Sequence, residues 1–217
     1  VTIANYGIEK WFKLQRYECS ESVYAELKLL GRRYRSYMEM HVKALLELTH
    51  VLDYVMPGIK NLFNSWTESN NRDKLCDFVE RFWHYDLITA MSCEAFVKAY
   101  NDWAEEKKYH QSNSKAVQVY ELASNGIPTL SSSLPSTKML VLEAIKTLRA
   151  IDDSLYIILS RMKELAKSLP EYSTVRAMGG VGDVLAPKLI AEIGDVRRLH
   201  SAKALIAWAG IDPPPYE

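Results

Sequence analysis

The chain of 217 residues sets 27 lysines and arginines against 27 aspartates and glutamates, and 48% of its residues are hydrophobic. That length admits one or two domains, and that apolar share excludes wholesale disorder. The neutral balance excludes a strongly basic free-standing polyanion binder, and no apolar run approaches the roughly 18 residues of a membrane span.

The periodicity predicts an all-α protein: a long antiparallel coiled-coil helix pair, a small helical insert, then a helix-hairpin-helix-like subdomain. Residues 1–19 precede the pair, 20–169 form it together with its insert at 58–130, and 170–217 form the hairpin region. Ser20 is placed to cap the first long helix, which runs to about Met56 and stops at Pro57-Gly58. Steps of three and four select Leu27, Leu30, Tyr34, Tyr37, His41, Ala44, Leu48, Val51 and Val55, a heptad seam broken only by His41. Gly31 sits inside this helix at a cost of about 1 kcal/mol relative to Ala. The insert reads as helices from Asn71 to His84, from a Ser92 cap to Tyr109, and from Ser112 to Asn125 with Gly126 as the stop. A loop from Ile127 to Ser133 leads to the second long helix, capped by Ser136 and ended at Leu169-Pro170. Its seam is Val141, Ile145, Leu148, Asp152, Leu155, Leu159, Met162, Ala166 and Leu169. Asp152 either fixes register as a lone polar residue or lies exposed while the seam shifts to Ile151, and the second reading is preferred.

In the last region, Gly180 and Gly182 are expected to take positive φ and to let the backbone approach another surface closely. The helix after them is expected to present unpaired N–H groups and the positive end of its dipole, an arrangement that suits a phosphate. Lys188 on that helix, Arg197 and Arg198 in the next loop, and Lys203 after the cap candidate Ser201 can each reach a phosphate. Val184, Leu185, Leu189, Ile190 and Ile193, with Leu205, Ile206 and Trp208, are expected to hold the subdomain together.

Other clusters have two readings each. Arg32, Arg33 and Arg35 can track a phosphate backbone, or can form a solvated helix face balanced by Glu26 and Glu39. Phe78, Phe82, Trp83 and Tyr85 can stack bases, yet 75, 78, 79 and 82 share one helical face and read better as core, as do Phe96, Tyr100 and Trp103. Met38, Met40 and Met56 read as gap-filling apolar residues. The pairs Asp152-Asp153 and Asp73/Asp77 read as solvated faces rather than as a metal or acid–base site. Cys19, Cys76 and Cys93 form no CxxC pattern and no disulfide framework, and the histidines have no metal-ligand spacing. His41 reads as a satisfied interface histidine. No serine has an activating base nearby, so no catalytic residue and no metal ligand is assigned.

The run Leu169-Pro170-Glu171, then Val181 to Ala186, Ile190 to Asp195 and Ser201 to Pro213, resembles the C-terminal transposase domain of a family of bacterial insertion-sequence recombinases, the DEDD-type transposases. Ile3-Ala4 and Tyr6-Gly7 resemble the stretch just after that family's last catalytic aspartates. The residue before the first hairpin glycine is often proline in the family and is Gly179 here. Members are RNA-guided (bridge-RNA) recombinases with an acidic metal site and a nucleophilic serine. The resemblance implies that the acidic site lies upstream of Val1 and the serine beyond Glu217, so the chain is expected to be a fragment of a recombinase. It implies DNA and a structured guide RNA as partners, a homodimer or higher homo-oligomer through the long helices, and a bacterial cytoplasmic location. No cofactor is expected on the fragment, while the parent enzyme is expected to use a divalent metal such as Mg²⁺. Two other readings stay open: a non-catalytic coiled-coil dimerisation module, and a helix-hairpin-helix DNA-binding protein of another family.

Overall fold

A computed structural model describes residues 4–5, 8–9, 22–63 and 73–211, and those residues form helices and no strand. The elements are α1 (Ser22–Val55), a 3₁₀ turn (Ile59–Leu62), α2 (Lys74–Arg81), α3 (Tyr85–Thr89), α4 (Cys93–Glu106), α5 (Asn113–Asn125), α6 (Pro135–Lys167), α7 (Tyr172–Arg176), α8 (Leu185–Ile193), a 3₁₀ turn (Val196–Arg198) and α9 (Ala202–Trp208). They divide into two compact units, one of Val1–Arg33 with Ile158–Glu217 and the other of Tyr34–Ile157. The division falls inside the two long helices, α1 and α6. The predicted Ser20 cap and the start of the helix expected from Asn71 lie outside the described residues.

In the unit Tyr34–Ile157, Leu48, Leu52 and Val55 of α1 share one buried cluster with Val141, Ile145 and Leu148 of α6. His41 meets Asp152 at 2.6 Å, so the later part of α1 packs on the earlier part of α6 and the pairing is antiparallel. Asp152 is only partly exposed, and Ile151 beside it is buried at 7% exposure. The preferred reading of Asp152 as an exposed residue is therefore corrected: the seam does take in Ile151, yet Asp152 stays in it. The one polar break of each seam is bonded to the other.

The insert is built around aromatic side chains. Asp73 caps α2 by accepting from the Leu75 N–H at 2.8 Å. The face Leu75, Phe78, Val79 and Phe82 is buried as the spacing predicts, against Phe96, Tyr100 and Trp103 of α4. The helix expected to reach His84 ends at Arg81 instead. His84 starts the next helix: its Nδ1 accepts from the Asp86 N–H at 3.0 Å, while Nε2 donates to the Leu130 carbonyl at 2.8 Å. One buried imidazole thus caps α3 and pins the returning loop. The helix expected to reach Tyr109 stops at Glu106, because Lys108 turns into the left-handed region at φ 59°. Ser92 and Ser112 cap α4 and α5 as expected.

Gly126 ends α5 with an ordinary negative φ of −76°. It is glycine for space: a Cβ there would meet the Tyr85 ring at 2.5 Å. Tyr85 in turn is buried and donates to the Pro57 carbonyl at 2.8 Å. The second long helix opens at Pro135 rather than after a Ser136 cap, since proline suits the first helical position, where no intrahelical N–H bond is needed. Of the three methionines, Met56 is fully buried, whereas Met40 is 47% exposed and fills no gap.

In the other unit, the start of α1 packs with the end of α6 and with α7 and α8. Tyr24 is buried and donates to Glu171 at 2.7 Å, and burial foremost, with that bond, pushes its hydroxyl up to about 12. Arg161 makes a two-nitrogen contact with Glu26 at 3.0 and 3.1 Å. Gly31 sits where α8 crosses: a Cβ there would stand 3.2 Å from the Ala191 Cβ. The apparent flaw in the helical sequence is a point of close helix approach.

Candidate nucleic-acid interface

The end of α7, the turn Met178–Gly182 and the start of α8 lie together in the unit that holds residues 158–217. Gly180 takes φ 81°, the left-handed conformation expected of it. Gly182 does not, so its expected positive φ is corrected. Its carbonyl instead accepts from both Leu185 N at 3.1 Å and Ala186 N at 3.0 Å. The next residue, Pro187, has no N–H at all. The amides of Leu185 and Ala186, the first two residues of α8, are thus taken up, where unpaired donors were expected.

The turn is braced from within. Arg176 donates from Nε to Asp183 at 2.5 Å and from Nη1 to the Val181 carbonyl at 3.1 Å. Its hydrogen bond and charge hold the Asp183 carboxyl below the usual carboxylate range. The sequence reading missed this arginine, although opposite charges seven residues apart across a glycine turn were the available signal. At Gly179, Gly180 and Gly182 an added Cβ would meet nothing within 4 Å.

The other assigned residues scatter. Lys188 is half-buried on α8 and engaged within the fold. Arg197 donates to Asp195 at 2.8 Å and holds its carboxyl down, and Arg198 donates to the Ile193 carbonyl at 2.8 Å while lying over the Trp208 ring at 5.4 Å. Both arginines are exposed, and both also finish the local fold: Arg198 covers the carboxyl end of α8, where a cation is favoured. Lys203 is exposed on α9, whose predicted Ser201 cap accepts from Ala204 N at 3.2 Å. Arg32 and Arg33 are exposed in this unit, while Arg35 belongs to the other. Glu26, expected to balance that cluster, is instead bound to Arg161. Ile190 is buried as expected, but Leu185, Ile206 and Trp208 are each more than 40% exposed, so they do not hold the subdomain together as predicted.

A second cluster lies in the unit Tyr34–Ile157. Asp73, Asp77, Asp152 and Asp153 line one cavity of about 240 Å³ with Cys76, Lys107 and Arg149. The two aspartate pairs read as separate solvated faces are therefore brought together. Arg149 bridges Asp77 at 2.5 Å and Glu80 at 3.1 Å. Burial pushes the Cys76 thiol up, with the Asp73 charge adding to it, and the thiol donates to Asp73 at 3.3 Å. Burial likewise raises Asp152, against the opposing pull of His41. Among the described residues no three His, Cys, Asp or Glu side chains converge to hold a metal ion. No helix among them is long and apolar enough to cross a membrane.

Residues 172–217 match the model of the Transposase IS116/IS110/IS902 family. The match begins at α7 and takes in the glycine turn, α8 and α9. It spans roughly a fifth of the chain. It supports a transposase, and with it a role in DNA transposition. No curated protein and no solved structure matches the chain.

Proposed function

We propose that the chain is part of a transposase in which the Met178–Gly182 turn lies against nucleic-acid backbone. The observation that carries the reading is a set of glycines without an internal reason, inside the segment that matches a transposase family. Gly180 needs its left-handed φ, but Gly179 and Gly182 adopt backbone open to any residue and have free space where a Cβ would stand. A glycine that neither conformation nor packing requires suits the close approach of an external surface. In this reading α1 and α6 serve to join copies of the chain, and a structured guide RNA is a second partner beside DNA. The chain contributes binding and positioning, and no catalytic residue is assigned to it.

Gly179→Ala and Gly182→Ala test the reading because fold and binding should move in opposite directions. Alanine at a compatible φ restricts the unfolded chain and raises stability by about 0.4–1 kcal/mol. The added methyls should hold a phosphate backbone away, so affinity for duplex DNA should fall. Thermal unfolding and fluorescence anisotropy on the same samples check both. Unchanged affinity in the two variants would count against contact at the turn. A wild-type chain that binds neither DNA nor structured RNA at low salt would favour a non-catalytic dimerisation module.

A further inference from the structure

In the unit Tyr34–Ile157, the seams of α1 and α6 each carry one polar residue, and the two polar residues meet. His41 Nδ1 lies 2.6 Å from Asp152 Oδ1, with the side chains 15% and 26% exposed. Among the described residues this is the one hydrogen bond that either side chain makes. Both helices rise by the same step per residue. The antiparallel pairing that sets His41 level with Asp152 therefore also sets Leu48 level with Ile145, and Leu52 level with Val141. All four of these apolar residues are buried in one cluster. A slip of one heptad in one direction sets Asp152 against Leu48, and a slip in the other sets His41 against Ile145. Either slip lays apolar residue on apolar residue elsewhere, but it leaves a polar group facing hydrocarbon without its partner. Laid parallel and in register on α6 of a second copy, α6 sets carboxylate against carboxylate. Laid on α1 in the same way, α1 sets imidazole against imidazole. The apolar residues of the seams tolerate these exchanges, and the polar pair does not.

Stability does not explain the pair. Burial raises the Asp152 carboxyl despite the opposing pull of His41, and well-packed apolar side chains often hold a buried site at least as firmly as an ion pair. We infer that the His41–Asp152 contact is a pairing code: it selects the chain's own α6 as the partner of α1, in this register, over the other ways in which the two seams can meet. A lone polar residue in an apolar seam fixes register and partner at a cost in stability, and here the code has two complementary halves on two different helices. Copies joined through α1 and α6 then meet over other faces of these helices, or exchange α6 in the same register. That consequence rests on the joining of copies proposed above, whereas the pairing code stands on the contact itself.

The test compares the full wild-type chain with two double variants. His41→Leu/Asp152→Leu removes the polar break from both seams, and His41→Asp/Asp152→His exchanges its two halves. Light scattering after gel filtration reads the oligomers present over a concentration series. Tryptophan indole N–H signals in proton–nitrogen NMR count the conformers, and thermal unfolding reads stability. The leucine variant should melt no lower than wild type, yet show additional oligomers or more than one indole signal per tryptophan. The exchange variant should keep the oligomers and the single set of signals of wild type. A leucine variant as uniform as wild type overturns the inference. So does one that fails to fold, since the pair would then hold the fold rather than select it. An exchange variant as heterogeneous as the leucine variant also overturns it, because restoring the contact would have restored nothing. A wild-type chain that stays monomeric at every concentration counts against the joining of copies alone, and the indole signals still decide the pairing code.

Discussion

Single glycines in this chain do four different things, and the sequence distinguishes few of them. Gly180 is conformational, Gly126 clears a path for the Tyr85 ring, Gly31 admits a crossing helix, and Gly179 and Gly182 have no internal use. The conformation of Gly180 was visible beforehand, but at Gly31 only the helical context was, as a propensity penalty, because the residue that needs the space, Ala191, is far away in sequence. Gly31→Ala sets two effects against each other. Alanine recovers about 1 kcal/mol of helix propensity, but overpacking a close contact costs roughly 1–3 kcal/mol. The neighbour at 3.2 Å is a Cβ fixed to the backbone of α8, so it cannot swing aside. We expect a net loss near 1 kcal/mol, visible as a melting temperature lower by about 2–4 °C. A variant at least as stable as wild type would show that α8 shifts freely over α1.

Among the elements, the long helices and the capped insert helices were the legible part, since their apolar spacing and serine caps are local signals. The short ones were not. Helix α3 has a single turn and takes its cap from His84, a residue seldom read as one. At α8 the sequence did contain the answer, because Pro187 removes a donor from the turn expected to hold a phosphate. The bond between His41 and Asp152 was beyond local reading: each looked like a defect in its own seam, and only antiparallel pairing brings the two together. Its pH consequence has a definite sign. Burial raises the folded carboxyl of Asp152 above its ordinary value, so ionising it costs more in the fold than in the unfolded chain. Its favourable contribution is complete below the ordinary carboxylate pKa of about 3.9 and is lost as pH rises through the raised value. Asp152→Asn should therefore raise the melting temperature at neutral pH and lose that advantage in acid. A gain that persists unchanged at low pH would assign it to something other than ionisation.

At the scale of the molecule, burial is spread unevenly. The unit Tyr34–Ile157 holds the aromatic cluster from Phe78 to Trp103, whereas α7 and α9 contain no buried residue. Local opening is governed by buried apolar contact. Hydrogen exchange should therefore leave the amides of α4 and α5 protected longest and those of α9 least, and equal protection would contradict it. Balanced charge was read from composition, and the lack of basic excess from Glu171 onward from a count, but the pairings inside the hairpin region were not, because they depend on which arginine meets which carboxylate. The open glycine turn has a last consequence, in genetics. Alleles altered at Gly179 or Gly182 should accumulate to normal levels in a cell, as nothing in the fold objects to them. A screen that scores protein abundance would pass over them, and one that scores nucleic-acid binding would find them as a clean separation-of-function class.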